Sequence, residues 1–124
     1  MNQHSILVVD DELLIRDLLY DFFTEQGWDI SVAESGEKAL QILRSRKFDL
    51  VLTDLKMPVM DGLALTSQVK EEYPGLPVVI MTGYPSVDSA VSALRQKVAD
   101  YIIKPFNINQ LYKVVEEKIN EHQD

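Results

Sequence analysis

Cysteine is absent from the 124-residue chain, which excludes disulfides, thiolate metal sites and a cysteine nucleophile and fits a reducing compartment. Positive charge is scarce: 12 Lys and Arg stand against 20 Asp and Glu, a formal net charge of -8. Such a surface argues against binding DNA by itself, because phosphate contacts need clustered Lys and Arg. Long apolar runs are missing too, so no segment approaches the roughly 20 residues needed to cross a bilayer. The start, MNQHSILVVDDE, has no basic segment before its short apolar run and is not a secretory signal. A cytoplasmic location is the expectation. Histidine occurs only as His4 and His122, near the termini, and neither takes a role.

What is present is an ordinary globular balance, 46% hydrophobic and 26% charged, enough to bury a core in one domain spanning 1-124. Short apolar runs alternate with amphipathic stretches. The runs are SILVVD (5-10), DISVA (29-33), DLVLTD (49-54), PVVIMT (77-82) and DYIIK (100-104). Several are β-branched and nearly continuous, the pattern of strands covered on both faces. Between them, Leu14, Ile15, Leu18, Leu19, Phe22 and Phe23 recur at helical spacing before Gly27. A second helix over about 35-46 takes Ser35 as its cap and carries Ala39, Leu40 and Leu43; a third covers about 62-73. A fourth, about 86-96, places Val87, Ala90, Val91 and Leu94 on one face. The fifth begins at Asn107, with Gln110 at capping-box spacing, and runs through Leu111, Val115 and Ile119. Five strands alternating with five helices predict an α/β domain of (βα)5 type, doubly wound about a five-stranded parallel sheet.

In such a sheet every strand ends along one edge, and ligands bind there, where the strand order reverses. The first strand ends in Asp10-Asp11, the third in Asp54, the fourth in Thr82 and the fifth in Lys104. With the flavodoxin-like order 2-1-3-4-5, the three carboxylates converge on one crevice. Packed together they repel unless a cation compensates, and a hard divalent ion with oxygen ligands is the natural remedy. With Lys104 as a cation and Thr82 as a hydroxyl, the set describes a phosphoryl site with a carboxylate nucleophile. Each residue alone has a plainer account. Asp10 or Asp11 could cap a helix, Asp54 could open a turn, Thr82 could simply end a strand and Lys104 could be a surface lysine. Their conjunction on one predicted edge is what those accounts leave unexplained.

The segments ILVVDDE, DLVLTDLKMPVMDG, VVIMTGY and DYIIKPF closely resemble the response-regulator receiver domain of two-component signalling, over about 5-120. The resemblance implies a phosphorylation-activated switch rather than a metabolic enzyme. It implies Asp54 as phosphoacceptor from a sensor histidine kinase or phosphotransfer protein, and Mg²⁺, with Mn²⁺ as a substitute, as cofactor. Asp11 would be a direct metal ligand, Asp10 a ligand mostly through water, Asp54 a third, and the backbone carbonyl of Lys56 would complete the shell. Thr82 resembles the switch hydroxyl, Lys104 the lysine paired with the phosphoryl group, and Pro105 the proline after a cis Lys104-Pro105 peptide. Tyr101 matches the aromatic switch residue; on the residues alone, a half-exposed strand tyrosine serves equally well. Lys56 and Tyr84 fall where the family tunes the lifetime of the phosphoryl group. The output face would be helix four, strand five and helix five, acting on an output domain or effector and compatible with a homodimer. MTGYPSVDSAV is similar to receivers of nitrogen-regulatory-type activators.

Before strand five the family commonly has Gly-Ala where this chain has Lys97-Val98. A left-handed helix end without glycine costs about 1 kcal/mol, so helix four is expected to end differently. Two competing readings remain at this point. A Mg²⁺-dependent aspartyl-phosphate phosphatase usually has a second Asp two residues after its nucleophile, where this chain has Lys56. A receiver-like binding module that is never phosphorylated would not need Asp10, Asp11, Asp54, Thr82 and Lys104 together.

Overall fold

The structure, a computed structural model, describes residues 3-122. The domain limits expected at residues 1 and 124 lie outside them. The elements run β1 (Ser5–Val9), α1 (Leu13–Glu25), β2 (Asp29–Ala33), α2 (Gly36–Ser45), β3 (Leu50–Asp54), α3 (Gly62–Glu72), β4 (Val78–Thr82), α4 (Val87–Arg95), β5 (Asp100–Ile103) and α5 (Ile108–Glu121). The strands form one parallel sheet in the order β2-β1-β3-β4-β5, the flavodoxin-like arrangement. No helix of the described residues is long and apolar enough to cross a membrane.

The strand sequences are apolar throughout because both faces of the sheet are covered. Alternate side chains divide between two cores. Leu7, Val9, Val51, Val78 and Ile80 pack with Ala39, Leu40 and Leu43 of α2, Leu65 and Val69 of α3 and Ala93 of α4. Ile6, Val8, Leu50, Leu52, Val79 and Met81 pack on the other face with Leu19 and Phe23 of α1 and Leu111, Val115 and Ile119 of α5. Phe22, Phe23, Trp28 and Tyr112 stack edge-on or tilted at one end of that second core.

Local signals place the helix ends. The Ser35 hydroxyl accepts the Lys38 N–H at 3.1 Å and starts α2. The Asn107 side chain accepts from Asn109 and Gln110 and starts α5. Two expectations are corrected. In α1, Leu14 is 81% exposed and Leu18 half exposed; the inward face is Leu19 and Phe23, with Ile15 and Phe22 beside them. In α4, Val87 is 79% and Leu94 77% exposed, and the buried side chain is Ala93 instead. Both helices carry more apolar residues than one side can bury.

Helix α4 does not end differently. Lys97 takes the left-handed conformation with φ 60, its N–H donates to Leu94 C=O at 3.0 Å, and Val98 N–H donates to Ala93 C=O at 3.2 Å. That is a Schellman end, with Val98 packed on the core that holds Ala93. Helix α1 closes the same way on Gly27, φ 85. The hydrogen bonds and packing that follow position 97 outweigh the steric penalty of its side chain.

Candidate functional site

The ladder runs past the carboxyl ends of the strands and fixes what stands there. Asp10 N–H donates to Ala33 C=O at 3.1 Å, Leu55 N–H to Met81 C=O at 2.8 Å and Lys104 N–H to Thr82 C=O at 2.7 Å. Asp10, Asp54, Thr82 and Lys104 are thereby brought to one edge, with Asp10 and Thr82 fully buried and Asp54 5% exposed. The edge lies at the reversal of strand order, beside β1 and β3.

Lys104 is the hub. Its Nζ lies 2.9 Å from Asp10 Oδ2, 3.4 Å from Asp54 Oδ1 and 3.6 Å from Glu12 Oε1. Asp10 Oδ1 also accepts the Glu12 N–H at 2.9 Å, and Asp54 Oδ1 accepts the Leu55 N–H at 3.0 Å. Burial pushes the Asp10 carboxyl up, and the bonds from Lys104 and Glu12 offset only part of that. Asp54 is pushed up to about 6, by burial first and by the charge of Asp10 second, against the lowering effect of Lys104. Burial alone would lower the Lys104 ammonium; its bond to Asp10 and the charges of Asp10 and Asp54 outweigh that and raise it.

The cleft above these groups has a volume of about 240 Å³ and is lined by Asp11, Glu12, Asp54, Lys56, Gly83, Tyr84 and Lys104. Carboxylate oxygens of Asp10, Glu12 and Asp54 come within 4.8 Å of one another. Asp11, expected among the acids, lines the cleft, while Glu12 takes its place in this tight group. Only the third letter of the run DDE hinted at Glu12. Three oxygens of hard carboxylate character at that spacing suit a Mg²⁺-sized ion. Arg16, another residue the sequence did not single out, reaches back from α1 to donate to the Asp10 carbonyl oxygen at 2.8 Å.

Two loops shape the rim. After β3 the chain turns at Val59, φ 68, in a tight turn closed by Met60 N–H to Pro58 C=O at 2.8 Å. Gly62 then passes against the backbone of Asp54 and Leu55, where a side-chain carbon would collide with the Asp54 carbonyl oxygen. After β4, Thr82 Oγ1 accepts the Tyr84 N–H at 2.9 Å. The Lys104-Pro105 peptide is cis. Tyr101 faces Ile80 across the sheet, half-buried, two residues below the level of Thr82, and its hydroxyl meets Ser89 of α4 rather than the cleft.

A larger hollow, about 700 Å³, opens at the opposite edge between Arg44, Arg46, Phe48, Tyr73, Leu76 and His122. There Arg46 is engaged with Asp29 and Ser5, and Asp49 accepts the Ser5 N–H at 2.8 Å. Those charges brace strand ends, so the acid-lined cleft is the candidate site.

The family model of the response regulator receiver domain matches residues 6–116. The chain is 40% identical over 124 residues to the DNA-binding transcriptional regulator NtrC of Escherichia coli K12, covering 100% of this chain and 26% of that protein. It therefore spans about a quarter of the length of the curated relatives it matches. Among solved structures, a CheY-like response regulator receiver domain protein of Methanospirillum hungatei superposes with TM-score 0.95 at 30% identity, covering 98% of both chains. The response regulator TrrA of Thermotoga maritima, in complex with Mg²⁺-BeF, gives TM-score 0.85 at 34% identity, covering 94% of this chain and 99% of that one.

Proposed function

Because the chain belongs to the family of response regulator receiver domains, we propose that it is a phosphorylation-activated switch with Asp54 as its phosphoacceptor. The observation that carries this reading is the buried Asp54 carboxylate, 3.4 Å from Lys104 and at the floor of an open acidic cleft. Its Oδ1 is occupied by Leu55 N–H and Lys104, so Oδ2 is the oxygen aimed outward as nucleophile. It attacks the phosphorus of a phosphohistidine on a sensor kinase or phosphotransfer protein. The P–N bond breaks, an acyl phosphate forms on Asp54, and the imidazole leaves with the electron pair and takes up a proton. At neutral pH a group pushed to about 6 is mainly ionised and remains a competent nucleophile.

Asp10 and Asp54, the rim acids Asp11 and Glu12 and the Lys56 carbonyl would hold a divalent ion, Mg²⁺ or Mn²⁺. When bound, that ion supplies positive charge against the phosphoryl oxygens. Lys104 transfers one of its contacts from Asp54 to a phosphoryl oxygen. Thr82, whose Oγ1 now accepts from Tyr84, turns to donate to another. Tyr101 and α4 then resettle, and the exposed Val87, Val91, Leu94 and Ile103 offer the surface through which an output domain, an effector or a second copy is engaged. The acidic balance argues against nucleic-acid binding by this domain itself, and the cytoplasm is its proposed location. We place it among switches that catalyse only their own phosphorylation and dephosphorylation.

Intact mass after incubation with Mg²⁺ and acetyl phosphate tests the reading. The wild type gains one phosphoryl group, and Asp54→Asn gains none. An adduct that survives Asp54→Asn, or none in the wild type, overturns it.

A further inference from the structure

Tyr101 is tied to the first turn of α4 by one short bond, its hydroxyl 2.7 Å from Ser89 Oγ. Ser89 is not needed to cap that helix. Ser86 does so, its Oγ accepting the Ser89 N–H at 3.0 Å. The Ser89 hydroxyl is the group left over, 3.0 Å from Ser86 Oγ and 3.2 Å from the Ser86 carbonyl, and it is the one that reaches β5.

Helix α4 is also weakly anchored. Its buried side chain is Ala93. At its C-cap, Gln96 buries an amide oxygen with no hydrogen-bond partner among the described residues, which disfavours this seat of the helix. An element held by few contacts is one whose position a single hydrogen bond can bias. In the same arrangement the Thr82 hydroxyl oxygen is held by Tyr84 N–H, inside the loop that leads into α4.

We propose that Ser89 is a positioning residue, a latch that holds Tyr101 to α4 while Asp54 is unphosphorylated and must let go when Thr82 turns to a phosphoryl oxygen. The latch rests on the receiver reading above. A bond made in only one of two states disfavours the other by its own net worth, about 0.5–1.5 kcal/mol. Removing it therefore tightens binding of a ligand specific to the other state by roughly 2- to 12-fold, provided the resting state predominates.

The test uses the full chain with Mg²⁺ and beryllofluoride, a stand-in for the phosphoryl group, and measures affinity by calorimetry. Ser89→Ala leaves the Ser86 cap intact and puts a strong helix former in the first turn, so α4 is preserved. It should bind beryllofluoride roughly 2- to 12-fold more tightly than the wild type. Ser89→Thr, which keeps the hydroxyl, should stay at the wild-type value. In a Tyr101→Phe background the Ser89→Ala change should have no effect, an outcome a merely structural role of Ser89 would not give. Equal affinity of wild type and Ser89→Ala overturns the latch alone, as does an undiminished effect in the Tyr101→Phe background. A wild type that takes up no beryllofluoride sinks the receiver reading and the latch with it.

Discussion

Lys104 has one positive charge and three carboxylates within 3.6 Å, and that shortage sets the pH behaviour of the site. Asp54 receives the smaller share and is pushed up to about 6 from an ordinary 3.8. The folded chain thus holds a proton on Asp54 at pH values where the unfolded chain has released it. Stability from this group is fully present below pH 3.8 and is lost as pH rises through about 6. Asp54→Asn, which cannot ionise, should melt at a higher temperature than the wild type at pH 7–8, and the difference should shrink between pH 6 and 4. Thermal melts across that range check it; a gap that is constant or grows toward acid would refute the assignment. At this scale the sequence was legible wherever a residue's place followed from ending a strand, which holds for Asp10, Asp54, Thr82 and Lys104. Glu12, Arg16 and Ser89 were not. Their roles depend on how far a side chain reaches back across a turn or to another element, and spacing along the chain carries no such distance.

At the scale of elements, periodicity located all five strands and helices to within a residue or two, because a strand buried on both faces and a helix resting on a sheet leave different apolar rhythms. It misjudged which face of two helices turns inward. Leu14 and Leu18 in α1 point outward beside the buried Leu19 and Phe23, and in α4 the apolar face that carries Val87 and Leu94 is the exposed one while Ala93 is buried, since the pattern is wide enough to admit more than one rotation about the helix axis. The end of α4 was misjudged for a different reason. A rule about one residue, that lysine resists the left-handed region, was allowed to outweigh the two hydrogen bonds and the Val98 contact that the Schellman end makes. The penalty at Lys97 is still present, and its charge also helps to lower the Lys70 ammonium, second to burial. Lys97→Gly should therefore raise unfolding free energy by about 1 kcal/mol, the steric gain exceeding the extra backbone entropy of glycine. Urea denaturation measures this, with an unchanged slope expected because no surface is newly exposed. A loss of stability would mean that Lys97 makes a favourable contact that offsets its strain.

For the molecule as a whole, the sheet packs both faces with apolar side chains while the chain carries a formal net charge of -8, most of its acids on the surface. The fold is thus held from inside and pushed from outside, and ions act on it in two separable ways. Sodium chloride acts by screening: the Debye length falls from about 30 Å at 0.01 M to about 8 Å at 0.15 M, so mutual repulsion fades and the melting temperature should rise by a few degrees. Magnesium chloride at matched ionic strength adds mass action if the cleft binds the ion, about 2.7 kcal/mol at a hundredfold excess over Kd. The two contributions separate in a variant carrying both Asp10→Asn and Asp54→Asn. Its surface is almost unchanged because both residues are buried, so its response to sodium chloride should match the wild type's. Its additional response to Mg²⁺ should vanish. If that excess survives the double substitution, Mg²⁺ is acting on the acidic surface at large, and the cleft around Lys104 is not where the cation binds.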